Sequence, residues 1–387
     1  MIGSTPIPLS LYVHVPWCLR KCPYCDFNSH ALITEALPET SYLNALIQDL
    51  EQELPAVWGR RVSSVFFGGG TPSLLSPEGV DWLLGALRAR LPIIPDAEIT
   101  LEANPGTVDE SRFAGFRAAG INRLSLGIQS FNDDCLSRLE RIHNGYQALS
   151  AFHNARAAGF TRINLDLMYG LPGQTKPQAV ADLLQAITLK PEHLSWYQLT
   201  LEPHTPFYQS PPVLPEDDEL IAMMEQGMTL LAEAGYQRYE ISGYAQLGQR
   251  CCHNLNYWTF GDYLGIGAGA HGKVTDFQGI HRYGKLRHPQ AYLAGVAQEQ
   301  ARSEEVRVVA DDLPLEFMLN ALRLVEGVPA NLYFERTGLG LAEQEERLTE
   351  ARRRGWLASS SDLIVPTEEG QRYLNDLLEL FVPDKAN

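Results

Sequence analysis

The chain has 387 residues, 45% of them hydrophobic, and carries 31 Lys and Arg against 47 Asp and Glu, a formal net charge of -16. That length predicts one large domain and a smaller one. The acidic balance argues against nonspecific nucleic-acid binding and against a basic membrane patch. No apolar run reaches the ~18 residues a transmembrane helix needs and no secretory leader pattern is present, so a cytoplasmic protein is expected. Six cysteines do not form a disulfide framework in a chain of this size; in a reducing compartment they point to a metal or to catalysis.

Short apolar runs alternate with amphipathic segments. Leu9–Val15, Ser64–Phe67, Glu98–Glu102, Arg123–Gly127, Asn164–Met168 and Leu194–Thr200 read as strands buried on both faces. Tyr42–Leu54, Pro77–Leu91, Glu110–Ala119, Gln147–Ala158 and Pro177–Thr188 read as the helices between them, with Gly120 and Gly159 as stops. Six βα units in series predict an α/β fold, a partial (β/α)6 TIM-like barrel; an open doubly wound sheet has the same periodicity. Beyond a proline-rich loop at 203–215, Asp217–Ala234 reads as a helix and Tyr239–Tyr244 and Tyr263–Ile266 as strands. Helices at Leu313–Leu324, Leu332–Thr337 and Glu343–Arg353 follow. A hairpin of Trp356–Leu357 with Leu363–Val365 and a last helix at Glu368–Leu380 complete a small helical, winged-helix-like module. Its only basic run is Arg352–Arg354, so it reads as a lid or packing domain. The expected units are 1–245 for the barrel, 246–309 for a connecting segment and 310–387 for the C-terminal module.

The chemistry begins at Cys18, Cys22 and Cys25, spaced C-x3-C-x2-C directly after the first strand. Three soft thiolates on one loop are placed to converge on an iron–sulfur cluster or on zinc. A cubane has four irons and usually four cysteine ligands, so three local cysteines leave one iron for a small molecule. The alternative is a zinc knuckle closed by Cys251, Cys252 or His253. In a barrel, residues at the C-terminal strand ends form the site. There the chain places Gly68-Gly69-Gly70-Thr71-Pro72, where backbone can approach a ligand, then Glu102, Gln129 with Arg141 further on, and Asp166. A buried carboxylate must be paired or ligand-bound. Glu102 and Asp166 are therefore candidates to hold ribose hydroxyls or a sulfonium, or else partners of an internal ion pair with Arg141.

Taken together, Tyr12 to Phe27, the Gly68–Pro72 loop, Glu102, Gly127-Ile128-Gln129-Ser130-Phe131 and Asp166–Pro172 resemble the HemN/HemW family of radical S-adenosylmethionine (SAM) proteins, nearly end to end. That family comprises oxygen-independent coproporphyrinogen III oxidases and their heme-chaperone relatives. The resemblance implies that Cys18, Cys22 and Cys25 ligate a [4Fe-4S] cluster. It also implies that Tyr12, Tyr24, Gly69, Gly70, Thr71 and Glu102 contact the cluster-bound SAM. Gln129, Arg141, Asp166 and Thr200 match further SAM-contact positions, which include a potential second SAM site. The oxidase branch resembles C-x3-C-x2-C-x-C; here the fourth position is Phe27, as in the heme-chaperone branch. The run His253-Asn254-Leu255-Asn256-Tyr257-Trp258 resembles that branch's heme-binding motif. Imidazole is a common axial ligand and the aromatic rings offer flat faces to a porphyrin. The structural alternative is a buried, hydrogen-bonded histidine. Cys251 and Cys252 are alternative heme ligands or inert core thiols, and His271 with Gly265–Gly272 is placed to close the same pocket.

The expected function is that of a heme chaperone, binding heme and passing it to an acceptor hemoprotein such as a respiratory cytochrome. Cluster and SAM would then serve regulation, assembly of a homodimer, or transfer. The competing reading is radical SAM oxidative decarboxylation of coproporphyrinogen III. Such a tetra-carboxylate should need Arg or Lys clamps, and no obvious cluster of these stands near the strand ends.

Overall fold

The structure, a computed structural model, describes residues 6–32 and 36–383; the outer ends of the first and third expected units lie outside them. Twelve strands form one sheet: β1 Leu9–Val15, β2 Val62–Gly69, β3 Ile93–Ala103, β4 Arg123–Gln129, β5 Ile163–Tyr169, β6 His193–Gln198, β7 Gln237–Arg238, β8 Gly243–Ala245, β9 Asp262–Ile266, β10 His271–Asp276, β11 Gly279–Lys285 and β12 Arg302–Arg307. Their order is β12-β11-β10-β9-β1-β2-β3-β4-β5-β6-β8-β7. Strands β1 to β6 are parallel neighbours. The helices α1 Glu39–Val57, α2 Pro77–Arg88, α3 Glu110–Ala119, α4 Gly145–Ala157, α5 Lys176–Leu189 and α6 Asp217–Glu233 follow them in turn. Helix α3 is capped by the Asp109 side chain and stopped by Gly120 at φ 111°.

The two faces of this sheet differ, and that difference separates a barrel from a doubly wound sheet. Leu9, Leu11, Val13, Val65, Phe67, Ile99, Leu101, Leu124, Leu126, Leu165 and Leu194 point to one face. There they pack with Leu43, Leu46, Leu83, Phe113, Phe152 and Leu183 of the helices. The alternate residues point the other way. Ser10, Ser64, Glu98, Thr100, Arg123, Ser125, Asn164 and His193 are also buried, but polar. Helices α1 to α6 therefore cover one face only, and the other encloses a polar interior. The sheet ends stay unpaired with each other, so the barrel is incomplete. The strands are buried on both faces as expected, yet apolar on only one.

Several expectations change beyond Ala234. Tyr239–Tyr244 is not one strand: the Glu240 carboxylate accepts the backbone N–H and hydroxyl of Ser242, turning the chain between β7 and β8. Residues 246–309 do more than connect. They include helix α7, Cys252–Trp258, then β9, which pairs parallel with β1, and the antiparallel strands β10 to β12. A buried charge network anchors this extension: Lys285 Nζ lies 2.5 Å from Asp49 Oδ1 and 2.6 Å from Glu53 Oε1 of α1.

The C-terminal module has its own core of Phe317, Met318, Tyr333, Leu348, Leu377 and Phe381, packed on Tyr239, Phe260 and Ile280. Its expected hairpin is reduced to one bridge, Leu357 to Pro366. Leu363–Ile364 pairs instead with Val328–Pro329, just after the turn at Gly327. The last helix breaks at Tyr373 into Glu368–Arg372 and Leu374–Glu379. Arg352, Arg353 and Arg354 pair with Glu345 and Glu350. Among the described residues no helix is long and apolar enough to cross a membrane.

Candidate functional site

The C-terminal ends of the parallel strands open into a cavity of about 340 Å³. Its wall brings together Cys18, Cys22, Tyr24, Cys25, Gly69, Gly70, Thr71, Glu102, Gln129, Arg141 and Asp166, eleven of the fourteen residues expected from sequence. Each thiol has a polar neighbour. Thr71 Oγ1 donates to Cys18 Sγ at 3.4 Å, Arg141 Nη1 to Cys22 Sγ at 3.4 Å, and Ser29 Oγ lies 3.9 Å from Cys25 Sγ. Burial pushes the Cys18 and Cys25 thiols up, so a metal is what would hold them as thiolates.

The thiols share one wall but do not meet at a single point. Among the described residues no three Cys, His, Asp or Glu side chains stand close enough to hold one metal ion. Separate sulfurs around a cavity suit a cubane, whose protein ligands sit on different irons. Hydrogen bonds to the sulfurs suit it as well. Cys251, Cys252 and His253 do not line this wall, so none stands as the fourth ligand of a zinc knuckle there. The residues present therefore fit a three-thiolate cluster. Such a cluster, held by Cys18, Cys22 and Cys25, would leave one iron open to SAM and would supply it with an electron.

Local backbone explains the placement. The cysteine loop is seated by Gly70 N–H on Val15 O (2.8 Å) and by His30 N–H on Pro16 O (2.7 Å). A Cβ on Gly70 would lie 2.5 Å from Trp17 O, and Gly69 has φ 112° with the His14 ring against it. Both positions require glycine for close backbone approach. Gly69 N–H also donates to Glu102 Oε2 at 3.2 Å. A register shift lies between Gly127 and Gln129, and Gln129 sits at φ 67°. A non-glycine residue there is strained, a common feature of functional sites. The bulge turns Gln129 toward the cavity, where its Oε1 accepts the Tyr197 hydroxyl at 2.9 Å.

Burial and the neighbouring Asp166 push the Glu102 carboxyl up to about 8, against the single bond from Gly69. Burial raises Asp166 too, opposed by bonds from Ser125 (2.9 Å) and Asn164 (2.7 Å). Two buried carboxyls facing one cavity favour a cationic ligand. Arg141 does not pair with either as a salt bridge. Its Nη2 bonds Gly127 O at 2.8 Å while Nη1 faces Cys22. Arg20 also reaches the wall, paired with Glu140.

Three expected residues lie elsewhere. Tyr12 does not line the cavity; its hydroxyl lies 3.0 Å from His14 Nδ1 and its ring stacks on Phe66. Thr200 lies past the end of β6, exposed, donating to Glu202 at 2.7 Å. His253 lies inside the sheet's polar interior, on α7, with its ring 4.2 Å from Phe66 and its Nδ1 3.2 Å from Glu98 Oε1. Although burial opposes it, bonding to His253 and the Arg123 guanidinium hold the Glu98 carboxyl at about 2. Tyr257 and Trp258 line a different space, a cavity of about 210 Å³ shared with Phe260, Tyr263, Lys273 and Arg282. Its cations are paired, Lys273 with Asp262 and Arg282 with Glu316. Cys251 is buried and its thiol is raised by that burial; Cys252 is exposed. His271 does not close the same pocket: it is exposed at the start of β10, 3.9 Å from Glu304.

Sequence reasoning missed Glu98, Ser125, Asn164 and Tyr197. Each lies an even number of strand residues from an expected site residue on its own or the adjacent paired strand, and that parity is the signal that marks inward-facing positions.

The radical SAM superfamily matches residues 12–186 and the HemN C-terminal domain matches residues 308–373. The chain is 51% identical over 378 residues to the heme chaperone HemW of Escherichia coli (strain K12), covering 97% of this chain and 99% of that protein. It is 49% identical over 383 residues to heme chaperone HemW of Haemophilus influenzae, covering 98% and 99%. Among solved structures, coproporphyrinogen III oxidase (HemN) from Escherichia coli, described as a radical SAM enzyme, superimposes with a TM-score of 0.82 at 25% identity, covering 97% and 90%. With its three-thiol cavity, its incomplete barrel and its helical C-terminal domain, the chain belongs to the HemW family of radical SAM proteins.

Proposed function

We propose that this chain is a heme chaperone: it binds heme through the His253 motif and transfers it to an acceptor hemoprotein, on a radical SAM scaffold. The observation that carries the reading is the His253–Trp258 helix itself. It presents an imidazole held by a carboxylate, with two aromatic side chains on the adjoining cavity, in a chain half identical to proteins named heme chaperone. Cys18, Cys22 and Cys25 carry the [4Fe-4S] cluster. Tyr24, Gly69, Gly70, Thr71, Glu102, Gln129, Arg141 and Asp166 surround its SAM. The acceptor is a hemoprotein such as a respiratory cytochrome, met by the chain's acidic surface in the cytoplasm, and the cluster serves transfer or assembly of a homodimer. Phe27, 60% exposed on the cavity rim, replaces a fourth thiol with an apolar side chain. Oxidase activity is not favoured, since the oxidase structure is far less similar to this chain than the chaperones are.

The test is anaerobic reconstitution of the cluster, followed by a heme titration read by absorption. The same sample then receives coproporphyrinogen III, SAM and a reductant. Stoichiometric heme binding without decarboxylated product is expected. Product formation without tight heme binding would overturn the reading.

A further inference from the structure

We propose that Glu98 is the positioning residue of the heme site, fixing His253 with its proton on Nδ1 and leaving Nε2 as the nitrogen that binds iron. The inference rests on the reading of His253 as an axial ligand and adds a residue to it. Glu98 Oε1 collects three groups of the motif helix: Cys252 N–H at 2.8 Å, His253 N–H at 3.3 Å and His253 Nδ1 at 3.2 Å. Its Oε2 accepts Arg123 Nη1 at 3.1 Å, and Arg123 is held in turn by Gln249 O at 3.2 Å.

An oxygen that already accepts two N–H groups, on a carboxylate paired with a guanidinium, offers no proton to the imidazole. Nδ1 is therefore the donor, and Nε2 is the ring nitrogen left for a ligand. Among the described residues Nε2 has no hydrogen-bond partner. Phe66 lies 4.2 Å away at 42° and limits rotation of the ring. The side chain is only 11% exposed, so its orientation is set by these neighbours rather than by solvent. A carboxylate behind a ligating imidazole orients the ring and raises its basicity. Helix α7 has no side-chain cap of its own at Cys251; Glu98, reaching from strand β3, supplies that bond and ties the helix to the sheet.

The experiment compares Glu98→Gln, Glu98→Ala and His253→Ala in the full chain by heme titration, Soret spectrum and the Fe(III)/Fe(II) midpoint potential of bound heme. His253→Ala is expected to lose the axial signature. Glu98→Ala is expected to weaken heme binding ~10- to 100-fold, as loss of an orienting partner does. Glu98→Gln keeps an acceptor for the N–H groups, so it should restore most of the affinity. It removes the negative charge behind the imidazole, so the midpoint should move positive. If Glu98→Ala leaves Arg123 unpaired and does not fold, the potential of Glu98→Gln decides. An unchanged potential in Glu98→Gln, with His253→Ala still losing the axial signature, overturns the role of Glu98 alone. An unchanged spectrum in His253→Ala overturns the axial reading and this inference with it.

Discussion

Arg141 donates to the sulfur of Cys22 at 3.4 Å and, through its other terminal nitrogen, to the carbonyl of Gly127 at 2.8 Å. A guanidinium from the loop after β4 is thus bonded to a thiol of the loop after β1. A Cβ on Gly127 would meet Arg141 Nη2 only at an ordinary contact of 3.5 Å; the tighter neighbour is Gln129 Nε2 at 3.2 Å. The fixed cation beside Cys22 stabilises the more negative, reduced form of a cluster bound there. Arg141→Gln should therefore retain iron and sulfide content while shifting the cluster midpoint to more negative potential. A redox titration followed by electron paramagnetic resonance reads this; an unchanged or raised potential would show that the contact is structural only.

Cavity loading should release a proton. Burial and Asp166 push the Glu102 carboxyl up to about 8, against an ordinary value of 4.5. A sulfonium or ammonium placed beside it favours the ionised form. SAM binding at pH 7 should then release part of a proton, measured as a dependence of calorimetric heat on buffer ionisation enthalpy. The folded state binds this proton more tightly than the unfolded chain, so the group lowers stability progressively between about pH 4.5 and pH 8. Glu102→Gln should flatten that decline and abolish the proton release.

Cys22→Ser should remove the cluster and leave the barrel folded. The cysteine loop lies outside the core of Leu9, Val13, Phe67 and Leu101 that joins sheet and helices. Iron and sulfide analysis should fall to background while the far-ultraviolet circular dichroism and the unfolding midpoint hold. A purified variant that is unfolded would show that the loop is part of the folding unit.

Lys285→Met should be costly. Its ammonium is buried between Asp49 and Glu53, and Tyr292 and Gly267 N–H also bond Asp49. Removing one partner of a buried ion pair typically costs about 3–5 kcal/mol, because the other charge stays buried. The added strands β10 to β12 should loosen first, since α1 meets them through these groups. Denaturant unfolding gives the total, and hydrogen exchange locates it; a loss below about 1 kcal/mol would mean that the carboxylates find other partners.

The parallel βα series, the cysteine loop and the residues at strand ends are legible in the amino-acid order alone. A βα crossover is right-handed almost without exception, and in a barrel the C-terminal strand ends all open to the same side. That is why Cys18, Glu102, Arg141 and Asp166, far apart in the chain, could be read as neighbours. Which parity of strand residues faces a polar interior emerges only once the sheet has curved and taken its helices. Glu98, Asn164 and Tyr197 look like ordinary members of apolar runs until the sheet is seen to carry helices α1 to α6 on one face only. The tertiary structure also decides where β6 ends. The strand stops at Gln198, so Thr200 has left the sheet and turns to Glu202. Finally, no local pattern could place His253. Its position comes from a seven-residue helix held by Glu98, 155 residues earlier in the chain, and a contact of that separation is a property of the closed fold rather than of either segment.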